Sequence, residues 1–195
     1  DLKFWIQVLE SAVALFIITD SIGNLPFYLS LTEGTSKEEH NKVTLTAVAS
    51  GLILLAVFVF AGNLFLSLFA LTIDDLKIAG GILLFVIAIK ILIDGKIVSE
   101  HKEDIGVVPL GIPLLVGPGA ITTVLVMTKT YDFYAVCLGT LICFFLIWLV
   151  FHFGEIIFRF IGHNGSLIIT KISSILIAGI AIRFIRTAIQ SIFGV

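Results

Sequence analysis

Two short stretches of this 195-residue chain combine residues that do chemistry with residues that break a helix. The first is Asp20-Ser21-Ile22-Gly23-Asn24-Leu25-Pro26. Asp20 ends one apolar run just before another begins. Burying a carboxylate there costs about 3 kcal/mol on membrane-insertion scales, so it calls for a partner or a role. Gly23 permits a break, Asn24 is a favoured N-cap, and Pro26 fits only the first turn of a new helix. The spacing predicts helix, unwound turn, helix. The second stretch, Gly117-Pro118-Gly119-Ala120-Ile121-Thr122-Thr123, repeats that logic. Two glycines free the backbone, Pro118 starts a helix, and Thr122 and Thr123 add hydroxyls near its start. Pro109 and Pro113 loosen the approach.

The chemistry such breaks offer is specific. A helix N-terminus exposes unpaired N–H groups and partial positive charge, which suit a carboxylate. The carbonyls ending the preceding half-helix, together with Asp20, suit an ammonium group or a coupling cation. A free amino acid matches both poles at once. The competing reading is two ordinary proline kinks used for packing, since Gly and Pro are common in membrane helices.

Other candidates carry less. Glu10 lies in the same run as Asp20, ten residues earlier and on a different face; it is a second candidate for coupling, or a surface acid. Arg183 and Arg186 are spaced to share a helix face, with snorkelling or pairing to an intramembrane acid as the two readings. Asn63 is expected to make an interhelical hydrogen bond. Asp74 and Asp75 complement the start of the third span. His152 and Glu155 are read as interfacial, since no second such pair completes a di-metal motif. His40, His101 and His163 fall in links. Cys137 and Cys143 read as small buried residues, with no metal or disulfide pattern. No catalytic residues and no cofactor are expected.

The elements that must position these residues are membrane spans. Hydrophobic residues make up 58% of the chain and charged residues 13%, about half the usual share for a soluble domain. Mean hydropathy is +1.15. This excludes a soluble globule and a disordered chain, and the formal charge of −2 argues against a nucleic-acid partner. The expectation is an all-α polytopic membrane protein of six transmembrane helices, the first and fourth broken. The spans are placed at about residues 4–31, 43–71, 76–93, 107–128, 131–153 and 167–192. The polar links, Thr32–Lys42, Asp94–Gly106 and Phe160–Gly165, leave no room for a soluble domain; Asn164-Gly165 is expected as a turn. Lys and Arg divide seven to five between the two sides, which favours both termini outside.

Sliding the chain on itself by 94 residues pairs Gly23 with Gly117 and Lys77-Ile78-Ala79-Gly80 with Lys171-Ile172-Ser173-Ser174. The chain then forms one transmembrane domain of two inverted three-helix repeats, about 1–94 and 107–195, joined by a polar loop at 95–106. Secondary transporters share this architecture, with the site at the repeat interface.

The sequence also resembles the MarC family, called the neutral amino acid transporter family. The resemblance rests on Asp20-Ser21-Ile22-Gly23-Asn24-Leu25-Pro26-Phe27, Ile78-Ala79-Gly80-Gly81-Ile82-Leu83-Leu84, and Ile112-Pro113-Leu114-Leu115-Val116-Gly117-Pro118-Gly119-Ala120-Ile121-Thr122-Thr123, and it spans essentially the whole chain. It implies a six-span protein of the bacterial or archaeal cytoplasmic membrane that carries glycine, alanine or serine, some members exporting and others taking up substrate with protons. It carries the site over to Asp20, Gly23, Asn24 and Pro26 and to the Gly117–Thr123 stretch. Two positions depart from the family pattern: Ser21 stands where proline usually follows the aspartate, and Arg183 where glutamine is expected.

The function expected is therefore a secondary transporter of small neutral amino acids, proton-coupled (or sodium-coupled), working by alternating access around the two breaks. The alternatives are a passive channel, an exporter of another small metabolite, and, less favoured, an intramembrane enzyme, for which Asp20 lacks an acidic partner. The partners expected are the amino acid, the coupling ion and the lipid bilayer; an oligomer is compatible with this reading.

Overall fold

The computed structural model describes residues 2–32, 35–94, 106–158 and 162–194. Among them there are helices and no strands. In chain order these are α1 (Leu2–Thr19), α2 (Leu25–Thr32), α3 (Lys37–Leu68), α4 (Ile73–Asp94), α5 (Gly106–Leu115, a helical segment interrupted by extended backbone at Val108 and Ile112), α6 (Pro118–Thr130), α7 (Phe133–Phe158) and α8 (Gly162–Phe193). The first expected break falls between α1 and α2 and the second between α5 and α6.

Four of the described helices are long and apolar enough to cross a membrane: α1, α3, Phe133–Gly154 of α7 and Ser174–Phe193 of α8. The pair α5 and α6, bent by 57° at the break, makes a fifth if counted as one span. The third expected span coincides with α4, a continuous helix of 22 residues.

The outward faces identify the solvent. On α3, Ile53, Val57, Phe60 and Leu64 form an exposed apolar stripe, while Gly51, Leu55, Phe58 and Gly62 are buried. A soluble protein would place polar residues outward; only hydrocarbon makes this arrangement favourable.

Helices associate here without a hydrophobic driving force between them, so close backbone approach carries the packing. The most extensive pairings are α4 with α8, α1 with α7, and α3 with α5. Gly139 of α7 meets α1 so closely that an added Cβ would lie 2.8 Å from the Val8 carbonyl and 2.6 Å from the Ser11 Cβ. Gly106 of α5 meets α3 in the same way, 2.7 Å from the Val43 carbonyl and 2.8 Å from the Thr46 Cβ. Gly81 of α4 abuts the Ala181 carbonyl of α8 at 2.8 Å by the same measure.

Local signals explain most helix boundaries. Ser36 caps α3 in a reciprocal box with Glu39, so the helix begins inside the expected link, at Lys37. Thr72 and Asp75 exchange the equivalent bonds at the start of α4, which frees Asp74 to pair with Lys77 at 2.6 Å. The turn expected at Asn164-Gly165 is absent: α8 begins at Gly162 and runs through both residues. First-turn N–H groups have no intrahelical carbonyl to bond, so a weak helix former near a start costs little. Asn63 is exposed and hydrogen-bonds to no described residue, contrary to expectation. The link at 95–105, with His101, lies outside the described residues.

Candidate functional site

Helix α1 stops at Thr19 because Asp20 turns left-handed, with φ of 45°. Aspartate tolerates that region better than most residues. The turn is closed from within: Asn24 N–H donates to the Asp20 carbonyl at 2.9 Å, and Leu25 N–H to that of Ile22 at 3.2 Å. Gly23 N–H donates to Asp20 Oδ1 at 3.2 Å, which aims the exposed carboxylate. Asn24 occupies the N-cap position of α2, its carbonyl accepting from Tyr28 N–H at 3.0 Å. Its buried side chain points back, however, and Nδ2 donates to the Thr19 carbonyl at 3.1 Å. An end carbonyl of α1 is thereby satisfied, which irregular backbone in a membrane requires. Pro26 is the second residue of α2. Ser21 is buried, and its hydroxyl has no partner among the described residues.

The second break follows a segment whose backbone is extended at Val108 and Ile112, just before Pro109 and Pro113. Gly117 is extended (φ −92°, ψ 179°) and makes no side-chain cap, and Pro118 opens α6. The N–H groups of Gly119 and Ala120 have no carbonyl of their own helix within reach. Thr122 Oγ1 donates to the Pro118 carbonyl at 2.7 Å and Thr123 Oγ1 to that of Gly119 at 2.8 Å, so both hydroxyl protons serve α6 itself.

The two breaks face one cavity of about 550 Å³ between α1, α4, α6 and α8. Asp20 lines it from the first break, and Gly117, Pro118, Gly119 and Ala120 from the second. Gly23, Asn24, Thr122 and Thr123 support the breaks without lining the cavity. Lys77 of α4 and Arg183 and Thr187 of α8 complete its polar wall. Lys77, Thr187 and Arg183 are absent from the sequence-derived site; in the sequence Arg183 shares a helix face with Arg186 and departs from the family pattern. The clue available was Arg183's place inside an apolar run, where a guanidinium is costly unless it meets water or an acid. Arg186 is not part of the lining, so the two arginines have different surroundings.

Glu10 is elsewhere. It lies ten residues from Asp20, about 15 Å along α1, with its carboxylate beside the Tyr131 hydroxyl in the α6–α7 turn. That neighbouring carboxylate, with burial adding to it, raises the Tyr131 phenol above its ordinary 10.0.

A second polar cluster was not legible. His40 is buried at 4% exposure rather than sitting in an open link. Its Nε2 lies 2.7 Å from the Tyr28 hydroxyl, which also bonds to Thr44 Oγ1. Thr44 donates its one proton to the His40 carbonyl at 2.9 Å. The Tyr28 ring stacks on Phe151 of α7 at 4.3 Å. Helix α2 is thus fastened to α3 and α7 through one fully buried tyrosine.

Long apolar helices with outward apolar faces, two of them broken beside a shared cavity, define a polytopic α-helical membrane protein. The model of the MarC family of integral membrane proteins matches residues 5–193. The chain belongs to that family. It is 36% identical to a UPF0056 membrane protein of Buchnera aphidicola (subsp. Schizaphis graminum), covering 93% of this chain and 91% of the relative. It is 34% identical to the UPF0056 membrane protein YhcE of Escherichia coli, with the same two coverages. An archaeal UPF0056 membrane protein, from Archaeoglobus fulgidus, is 34% identical over 90% of this chain and 88% of its own. No solved structure matches.

Proposed function

We propose that this protein is a secondary transporter of small neutral amino acids, and not an enzyme, working in the cytoplasmic membrane with both termini outside. The observation that carries the reading is the meeting of both helix breaks at one cavity. The start of α6 offers N–H groups and partial positive charge to a carboxylate, and Asp20 offers its carboxylate to an ammonium group or a coupling proton. A cavity of about 550 Å³ suits a small solute with some water. Asp20 lines this cavity and Glu10 does not, so coupling is assigned to Asp20.

Six spans in two inverted repeats fit the packing. The broken helix of each half pairs with the middle helix of the other: α1 with α7, and α5 with α3. The close contacts obey the same exchange. Gly139 meets Ser11 and Ala12, while Gly106 meets Thr46 and Ala47. An offset of 94 residues maps Ala12 onto Gly106 and Leu45 onto Gly139. Both breaks open on one cavity, and Tyr28 fastens α2 beyond the first break. This favours a gated carrier over an open pore.

The test is flux of labelled glycine and alanine in proteoliposomes, with and without an imposed pH gradient, for wild type and Asp20→Asn. Saturable, gradient-driven accumulation that the substitution abolishes is the expected result. Non-saturating flux would establish a channel instead, and no flux of either amino acid would overturn the substrate assignment.

A further inference from the structure

The carrier reading leaves one charge in the cavity without a role. Arg183 stands in the apolar segment Ser174–Phe193, where a guanidinium is stable only against water or an acid. No ion pair or hydrogen bond joins Arg183 to any described residue. The other cation of the lining differs. Lys77 Nζ lies 2.6 Å from Asp74 Oδ1, and Asp74 is held on its other side by the Ser191 hydroxyl at 2.8 Å. The Lys77 charge is therefore answered outside the cavity and the Arg183 charge is not.

Asp20 is the complementary case. Its carboxylate takes an N–H from Gly23 and lines the same cavity, yet it forms no ion pair with Arg183. One free cation and one free anion thus face a shared space without neutralising each other. Opposite charges that face one space attract each other. What keeps their cavity useful is a ligand that carries both charges in the reverse sense.

We propose that Arg183 is the carboxylate anchor of the site, and that Arg183 and Asp20 together select a zwitterion by its two poles. This rests on the carrier reading and adds a specificity-determining residue to it. The guanidinium fork fits a carboxylate with two parallel bonds, which the isolated N–H groups at the start of α6 cannot supply. The site should therefore reject an amine that lacks the carboxylate, such as glycinamide. It should also reject an acid that lacks the ammonium, such as acetate.

The experiment uses the purified full chain, as wild type, Arg183→Gln and Arg183→Lys. Two readouts are taken with glycine, glycinamide and acetate: ligand-dependent thermal stabilisation in detergent, and glycine exchange in proteoliposomes. The melting temperature without ligand reports whether each variant folds. Expected is stabilisation of wild type by glycine alone. The glycine concentration for half-maximal effect should rise about tenfold or more in Arg183→Gln, the equivalent of one lost charge-assisted interaction. Arg183→Lys should fall between, since it keeps the charge and loses the fork. Equal glycine response in wild type and Arg183→Gln, or a glycinamide response equal to that of glycine, would overturn the assignment, as would a wild type that no carboxylate ligand stabilises. Glycine stabilisation that depends on Arg183 without any exchange would uphold the anchor and overturn the carrier reading.

Discussion

Gly23 and Asp20 lie so close that a Cβ on Gly23 would stand 2.7 Å from the Asp20 carboxylate carbon. The glycine is there to make room for the acid, and its N–H holds that acid in place. Gly23→Ala must push the carboxylate aside, which a short flexible side chain allows without unfolding the turn. The expected outcome is a melting temperature near that of wild type with KM for glycine raised about tenfold or more, as small misplacements of binding groups do. Exchange kinetics beside a thermal melt check it; unchanged KM would mean the carboxylate's position is unimportant.

Tyr28 is expected to be structural. Tyr28→Phe keeps the stack on Phe151 but removes the hydroxyl that bonds to His40 Nε2 and Thr44 Oγ1. Removing one partner of a buried hydrogen bond costs about 1–3 kcal/mol. A lower melting temperature with KM for glycine retained is the predicted result, read from thermal unfolding and exchange on the same preparation.

Two glycines should behave oppositely when made leucine. At Gly139 the new side chain meets the α1 backbone, and overpacking of this kind costs about 1–3 kcal/mol. At Gly179 nothing lies within 4 Å, and helix propensity gains about 1 kcal/mol over glycine. Gly139→Leu should lower detergent stability and Gly179→Leu should not. Similar melts for both would contradict the close α1–α7 approach.

Glu10 and Asp20 should separate cleanly. Glu10→Gln weakens one contact with Tyr131 at the α6–α7 turn, away from the cavity. Proton-gradient-driven accumulation is expected to survive in Glu10→Gln and to vanish in Asp20→Asn. Loss in Glu10→Gln with retention in Asp20→Asn would move the coupling site along α1.

Much of this protein is local information and was legible as such. Apolar runs about as long as a bilayer is thick mark the spans. The breaks at Asp20–Asn24 and Gly117 fall where glycine and proline, which act through their own backbone, interrupt the apolar runs. Even the starts of α3 and α4 are written in four-residue boxes, Ser36 with Glu39 and Thr72 with Asp75.

What the sequence did not determine is direction. Successive helix residues point 100° apart, so which of them meets a cavity, a neighbour or lipid depends on where the other helices lie. That is why Arg183 faces the cavity and Arg186 does not. It is also why His40, in what reads as a polar link, is buried beneath Tyr28. Each of those outcomes requires contacts between residues distant in the chain, and only the tertiary structure supplies them.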